Sequence, residues 1–287
     1  MNWLKEANKV KSTIRNNDFR IKKKFGQNFL TDENILRKIS EVAVIDKKTL
    51  VVEIGPGLGS LTEFLLEKAG HLLAYEIDSE LIPILEKTFS DNNFTLINDD
   101  ILSRDIDQDI DGVNFDYDKV IVVANLPYYI TTPILMKCIE DSKKINEMVV
   151  MMQLEVANRI TSTPSKKDYN SLSIAIQYKT IAKLAFKVPR TVFVPAPNVD
   201  SAIVYLKTKE NPTVVPVDEK YFYQIVRSSF VQRRKKLSNN LNSVFGYDKT
   251  RVEDLLEVLG HSRTVRAESL NVDDFIVLSD NLIDFKA

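Results

Sequence analysis

Asn125, Leu126, Pro127 and Tyr128 leave the apolar run KVIVVA and put an amide, a held carbonyl and an aromatic ring in four consecutive positions. Pro127 disfavours helical geometry at Leu126, so the Leu126 carbonyl is kept in an extended segment and can face a cleft. Asn125 offers a side-chain carbonyl at nearly the same place. Two fixed acceptors suit a substrate with two N–H bonds, an exocyclic amine. The lone pair of adenine N6 is delocalised into its ring, and holding both hydrogens out of the ring plane favours a tetrahedral nitrogen able to attack a methyl donor. Such chemistry runs on proximity and electrostatic preorganisation and has no obligatory general base. Tyr128 can stack on the base, an interaction worth about 1 to 3 kcal/mol. Phe193, in FVPAPNVDSA, is a candidate for the opposite ring face, the alternative being a hydrophobic plug under a Pro-rich loop. A base that belongs to a nucleic acid must be unstacked or already single-stranded to enter such a pocket.

A methyl donor needs its own site, and VVEIGPGLGSLTEFLL reads as a strand, a glycine-rich turn and a helix. Gly55, Gly57 and Gly59 let the backbone turn sharply and let a ligand approach the main chain. The next apolar run, LLAYEID, ends in Glu76 and Ile77. A carboxylate at that strand tip can accept hydrogen bonds from two ribose hydroxyls. Asp99 and Asp100 end the third run, where an acid can bond an adenine amino group while Ile101 packs on the ring. Nicotinamide cofactors use a similar strand, loop and acid. Their fingerprint is G-x-G-x-x-G with a pyrophosphate at the helix N-terminus, whereas here the third glycine comes one residue early. S-adenosyl-L-methionine has a ribose and an adenine but no pyrophosphate and fits best; a nucleotide cofactor and a purely structural turn remain the alternatives.

The elements that must position these residues follow from hydrophobic pattern. TLVVEI, HLLAYEI, FTLIN, KVIVVA and EMVVMMQ are near-continuous apolar runs of buried parallel-strand type, separated by LTEFLLEKAG and SELIPILEKTF at helical spacing. That alternation predicts an α/β fold with a doubly wound, mostly parallel sheet. IAKLAFKV and SAIVYLK read as a hairpin with a long loop. Residues 208–217, with two prolines, read as a linker between a domain over 1–207 and a domain over 218–287. In the latter, EKYFYQIVRSSFVQRRKKLSNNLNSV, KTRVEDLLEVLG and NVDDFIVLSDNLIDF are amphipathic and helical.

At 287 residues, 44% hydrophobic and 28% charged, the chain is ordinary globular protein rather than a disordered one. No apolar run approaches a membrane span, and one cysteine, Cys138, excludes an internal disulfide; a soluble, cytoplasmic protein is expected. His71 and His261 have no partners at ligand spacing, so no metal is expected. Net charge is −1, yet basic residues cluster twice, at Arg20, Lys22, Lys23 and Lys24 within an N-terminal arm over 1–24, and at Arg233, Arg234, Lys235 and Lys236. Such patches can meet a polyanion or simply be solvated faces.

KFGQNFL, EIGPGLGSLT, EID, NLPYYITTPIL, FVPAPNVDSAIV and QRRKKLSNNL together resemble, in order, the motifs of the ribosomal RNA adenine N6,N6-dimethyltransferases, in particular the KsgA-type small-subunit branch. The likeness runs from about residue 20 to 270. It implies a Rossmann-like class I methyltransferase with a seven-stranded sheet and a small all-helical C-terminal domain that helps dock on the immature small subunit. It places Gln27, Asn28 and Leu30 in the donor pocket, with Gly55, Glu76, Asp100 and Asn125 as its other walls. It implies as substrate two adjacent adenines near the 3′ end of 16S rRNA in a pre-30S particle, four donor molecules being used by a monomeric enzyme. The 23S rRNA methyltransferases of macrolide resistance share GQNFL and the glycine loop, but usually read N-I-P-Y and lack QRRKKLSNNL. Relatives of this fold that act as non-catalytic assembly or transcription factors are a further alternative, against which Glu76, Asp100 and NLPY argue. Leu154 departs from the family, which often has a polar residue there, and Tyr129 replaces a common Asn; Tyr129 is expected to serve structure only.

Overall fold

The computed structural model describes residues 12, 21–22, 26–90, 93–210 and 214–285. By their contacts the residues divide into two units, Met1–Ala157 with Lys183–Thr208, and Asn158–Ala182 with Lys209–Ala287.

The first unit is built on a seven-stranded sheet. Its strands in chain order are β2 (Thr49–Ile54), β3 (His71–Tyr75), β4 (Phe94–Ile97), β5 (Lys119–Asn125), β6 (Ile145–Gln153), β7 (Thr180–Val188, completed from the neighbouring unit) and β9 (Ser201–Thr208), and they lie in the order β4-β3-β2-β5-β6-β9-β7. The first five are parallel, and β9 pairs antiparallel with β6. All six positions of β2 are buried, the reason its sequence is mostly apolar rather than alternating, with Thr49 and Glu53 as buried exceptions. The chain winds outward from β2 through β3 to β4, then returns to place β5 on the other side of β2. This reversal opens a crevice at the carboxyl ends of β2 and β5, where ligands of such sheets bind.

Helices α1 (Glu33–Val42), α2 (Ser60–Leu66), α3 (Ile82–Thr88), α4 (Ile106–Asp111) and α5 (Thr131–Glu140) connect and cover the strands. Helix α1 starts at Asp32, whose carboxylate accepts from Asn34 N and Ile35 N. A second, two-stranded sheet joins β1 (Phe29–Leu30) to β8 (Phe193–Val194), with Leu30 opposite Phe193. It ties GQNFL to the Pro-rich loop, a pairing across more than half of the sequence that periodicity could not reveal.

The second unit gathers α7 (Ser171–Lys179), α8 (Glu219–Ser229), α9 (Leu237–Phe245), α10 (Lys249–Val258) and α11 (Val272–Leu282); α6 (Leu154–Ile160) straddles the division. One division falls at 208/209, beside the expected linker, but the contacts also assign 158–182 to the second unit, which a single cut did not anticipate. Tyr169, Ile174 and Tyr178 are buried with Tyr221, Phe222 and Phe275, and the Tyr169 hydroxyl donates to Leu270 O at 3.0 Å, which recruits 158–182 to the helical core. The stretch expected as one helix over 219–244 also breaks in two, leaving QRRKK in turns. Buried Asn240 donates to the Ser229 carbonyl, an acceptor that the ended helix leaves open, and to the Gln232 carbonyl in the turn, and the like charges 233–236 oppose continuation.

Candidate active site

One pocket at the carboxyl ends of β2, β3 and β5 collects the expected residues: Gln27, Asn28, Leu30, Gly55, Gly57, Glu76, Ile77, Asp100, Ile101, Asn125, Leu126, Pro127, Tyr128 and Phe193 all line it. Their spread over 167 positions of sequence closes because the parallel strands end side by side and the β1–β8 pair brings GQNFL to Phe193.

The glycine loop forms the floor. Gly55 has φ +72°, and a Cβ there would meet nothing within 4 Å, so the space it leaves belongs to the pocket. Gly59, at φ +81°, begins α2 so close to Phe89 that a Cβ would stand 2.4 Å from that ring. Glu76, directly after β3, is 4% exposed. Its carboxylate accepts from Gly57 N at 3.1 Å and Asp78 N at 2.8 Å, which binds the glycine loop to the tip of β3. Burial raises its pKa, and these N–H groups oppose the rise. Asp100 accepts from Leu102 N at 3.0 Å, starting a short turn that buries Ile101. Arg104 reinforces that turn through Asp109 and Asp99.

The acceptor side is NLPYY. Leu126 N–H is taken by Met151 O at 3.3 Å. The Pro127 carbonyl accepts from Ile130 N and Thr131 Oγ1 and starts α5. Asn125 donates Nδ2 to Asn28 O at 3.3 Å, which assigns Oδ1 as the acceptor it can offer elsewhere. Among the described residues none donates to the Leu126 carbonyl. The two acceptors inferred from the motif are thus adjacent and open. The half-buried Tyr128 is fixed by a 2.7 Å hydrogen bond between its hydroxyl and Ser201 Oγ, and burial raises its pKa, keeping the phenol neutral. Phe193 lines the pocket, is 4% exposed and packs into the hydrophobic core. Tyr129 is 62% exposed at the rim.

Two acids were not among the expected site residues: Glu53, which lines the pocket, and Asp78, whose N–H bonds Glu76 beside it. Glu53 sits inside the apolar run of β2, 1% exposed, with Oε2 buried and without a hydrogen-bond partner among the described residues. Burial, opposed by the neighbouring Thr62 hydroxyl and helped by the Glu76 charge, pushes its carboxyl up to about 8. The only hint was a carboxylate in a strand covered on both faces. A carboxyl raised in the folded state contributes stability that is full below its ordinary value of 4.5 and is lost as pH climbs through about 8. Glu53→Gln is therefore expected to gain on the wild type as pH rises from about 5 to about 9, by a few kcal/mol at most. Urea unfolding of the donor-free protein at both pH values checks this, and an unchanged difference would contradict it.

These features fit S-adenosylmethionine on the structure's own terms. Glu53 Oε2, buried without a hydrogen-bond partner among the described residues, suits an ammonium, whose charge favours the ionised carboxylate; an open glycine cradle admits the ligand, Glu76 suits ribose hydroxyls, and Asp100 with Ile101 suits adenine. Among the described residues no group of three or more His, Cys, Asp or Glu is placed to hold a metal ion.

The expected RNA contacts are placed unevenly. Arg20, Lys23 and Lys24 lie outside the described residues. Lys22 departs from the expectation of a phosphate contact: its ammonium is paired with Asp78 at 2.5 Å and Glu80 at 3.0 Å. Arg233 pairs with Glu268 and Lys236 with Glu253. Arg234 and Lys235 are exposed, and among the described residues neither has an ion pair.

A Rossmann-like sheet with this pocket defines a methyltransferase that uses S-adenosylmethionine. A family model of ribosomal RNA adenine dimethylases matches residues 18–281. The ribosomal RNA small subunit methyltransferase A of Lactococcus lactis is 51% identical over 280 residues, 97% of this chain and 95% of that protein. Among solved structures, a dimethyladenosine transferase from Plasmodium falciparum superposes with a TM-score of 0.74 at 26% identity, covering 90% of this chain and 97% of that one. The 23S rRNA methyltransferase ErmE gives a TM-score of 0.67 at 26% identity, covering 89% and 100%. The chain belongs to the ribosomal RNA adenine dimethylase family.

Proposed function

We propose that this enzyme dimethylates N6 of two adjacent adenines near the 3′ end of 16S rRNA, acting as a cytoplasmic monomer on a pre-30S particle. The observation that carries the chemistry is the pair of open acceptors, Asn125 Oδ1 and the Leu126 carbonyl, in the pocket that also holds Glu76 and Asp100. The choice of small-subunit RNA is favoured by the relatives of that name, about half identical to this chain along nearly its whole length.

When bound, S-adenosylmethionine supplies an electrophilic methyl on a sulfonium. Glu76 receives ribose hydroxyls, Asp100 the adenine amino group, and Glu53 the donor's ammonium, while Gln27, Asn28, Leu30, Ile77 and Ile101 close the walls. Tyr128 stacks on the target base, its ring angle held by Ser201. In the first transfer Asn125 Oδ1 and Leu126 O accept hydrogen bonds from the two amine hydrogens and turn the nitrogen lone pair toward the methyl; in the second, one of these acceptors holds the single hydrogen that remains. The amine proton lost on transfer can pass to solvent, because the product is a neutral amine and no basic side chain of ordinary pKa is required. Exposed Arg234 and Lys235 contribute phosphate contact, so affinity for the particle falls with salt.

Incubation of undermethylated 30S and 50S subunits with methyl-labelled donor tests the reading. Label is expected in 16S rRNA of the 30S arm; label in 23S rRNA instead would favour a large-subunit activity of the kind for which ErmE is named. A protein that binds the 30S particle but not the donor would point to a non-catalytic assembly factor.

A further inference from the structure

Asp78 is 1% exposed at the end of EID, and its carboxylate is surrounded by donors from elsewhere in the chain. It accepts from Lys22 Nζ at 2.5 Å and from Gln27 Nε2 at 2.9 Å. Its own N–H donates to Glu76 Oε1 at 2.8 Å. Lys22 N–H donates to Gln27 Oε1 at 2.8 Å, so Lys22 and Gln27 bond each other as well as one carboxylate. The tie continues toward the acceptor side. Asn28 Nδ2 donates to Gly26 O at 2.9 Å, and Asn28 O accepts from Asn125 Nδ2 at 3.3 Å. Gly26, at φ +60°, lies so near the turn that a Cβ would stand 3.3 Å from Pro127 Cβ and 3.4 Å from Tyr129 Cε1.

A primary amide has two orientations related by a flip, and only one offers an oxygen to an amine. The Asn28 carbonyl selects that orientation of Asn125, because it can receive only the amide N–H. A backbone carbonyl can do so only while its segment is held in place. We propose that Asp78 is a positioning residue whose carboxylate clamps Lys22 and Gln27 across the donor pocket, and so holds the Asn28 carbonyl that orients Asn125. Donor binding and amine orientation then depend on one anchor. Lys22 works in this clamp, which accounts for a basic residue of the arm facing inward. The part that concerns Asn125 rests on its reading as amine acceptor; the part that concerns donor affinity does not.

The test compares Asp78→Asn, Lys22→Gln and the double variant in the full chain. Donor affinity is measured by calorimetry without RNA, and the single-turnover methylation rate at saturating donor on undermethylated 30S subunits. Asp78→Asn is expected to weaken donor binding about tenfold and to slow the saturated rate about tenfold, with Lys22→Gln about threefold on each. The double variant is expected to be no worse than Asp78→Asn, since both remove the same tie. A wild-type saturated rate in folded Asp78→Asn, or losses that multiply in the double variant, would overturn the clamp. Thermal melting identifies an unfolded Asp78→Asn; Lys22→Gln, at a side chain 22% exposed, then decides alone, and wild-type affinity and rate in it overturn the proposal. Absence of methylation by the wild type would sink the substrate reading, while donor affinities would still judge the clamp.

Discussion

Asn125→Ala is expected to leave donor affinity within a few-fold of wild type and to lower the rate of methyl transfer at saturating substrates by about a hundredfold to a thousandfold. Removing one preorganised partner of a developing charge costs about 2.7 to 4 kcal/mol in comparable sites, and here the amide also decides whether the nitrogen lone pair points at the methyl. Asn125 stands at the end of β5, half-buried, with Nδ2 committed to Asn28 O. Its loss deletes one acceptor and leaves the Leu126 carbonyl to hold only one amine hydrogen. Asn125→Asp sharpens the test. It keeps two acceptor oxygens but turns one of them against the Asn28 carbonyl, so it too is expected to be slow. Calorimetry for the donor and single-turnover assays on 30S subunits separate binding from transfer. A rate within threefold of wild type in Asn125→Ala would remove the amide from the mechanism.

Glu76→Ala is expected to show the reverse split, with donor affinity down about a hundredfold or more and a smaller fall in the saturated rate. Glu76 is 4% exposed and holds Gly57 N and Asp78 N. Truncation removes charge-assisted bonds to ribose hydroxyls, each worth about 1.5 to 3 kcal/mol, and leaves those two backbone donors without their partner. The glycine loop loses its tie to β3 at the same time. Equilibrium dialysis with labelled donor reads the loss. Retained affinity in Glu76→Ala would show that the ribose is held elsewhere. Glu76→Gln, which keeps one acceptor oxygen, is expected to fall between the two.

The site was legible where chemistry is written locally. The GPGLG turn, the acid at the tip of LLAYE and the NLPY exit each carry their geometry in adjacent residues, and parallel strands bring such tips together without further instruction. Phe193 and Leu30 became neighbours through β1 and β8, a pairing across 163 positions that no local pattern encodes. Glu53 was hidden because a carboxylate inside TLVVEI looks like an interruption of a strand rather than part of a pocket. Asp78 was hidden because its partners Lys22 and Gln27 are more than fifty residues away. Lys22 was read by charge as a phosphate contact, and charge alone cannot tell an inward ammonium from an outward one. In the helical unit, amphipathic pattern runs through residues 230–236 without a proline or glycine, yet the helix stops there. Tertiary partners favour the stop, since Asn240 takes over the freed Ser229 carbonyl and braces the turn at Gln232.

Mass spectrometry of nuclease fragments of 16S rRNA, recovered after exhaustive reaction of undermethylated 30S subunits with the enzyme and S-adenosylmethionine, reads the activity most directly. The expected result is two adjacent N6,N6-dimethyladenines near the 3′ end and four added methyl groups per rRNA, with far fewer when Asn125→Ala is assayed over the same time. Methyl groups on a base other than adenine, on isolated single adenines only, or on 23S rRNA would contradict it.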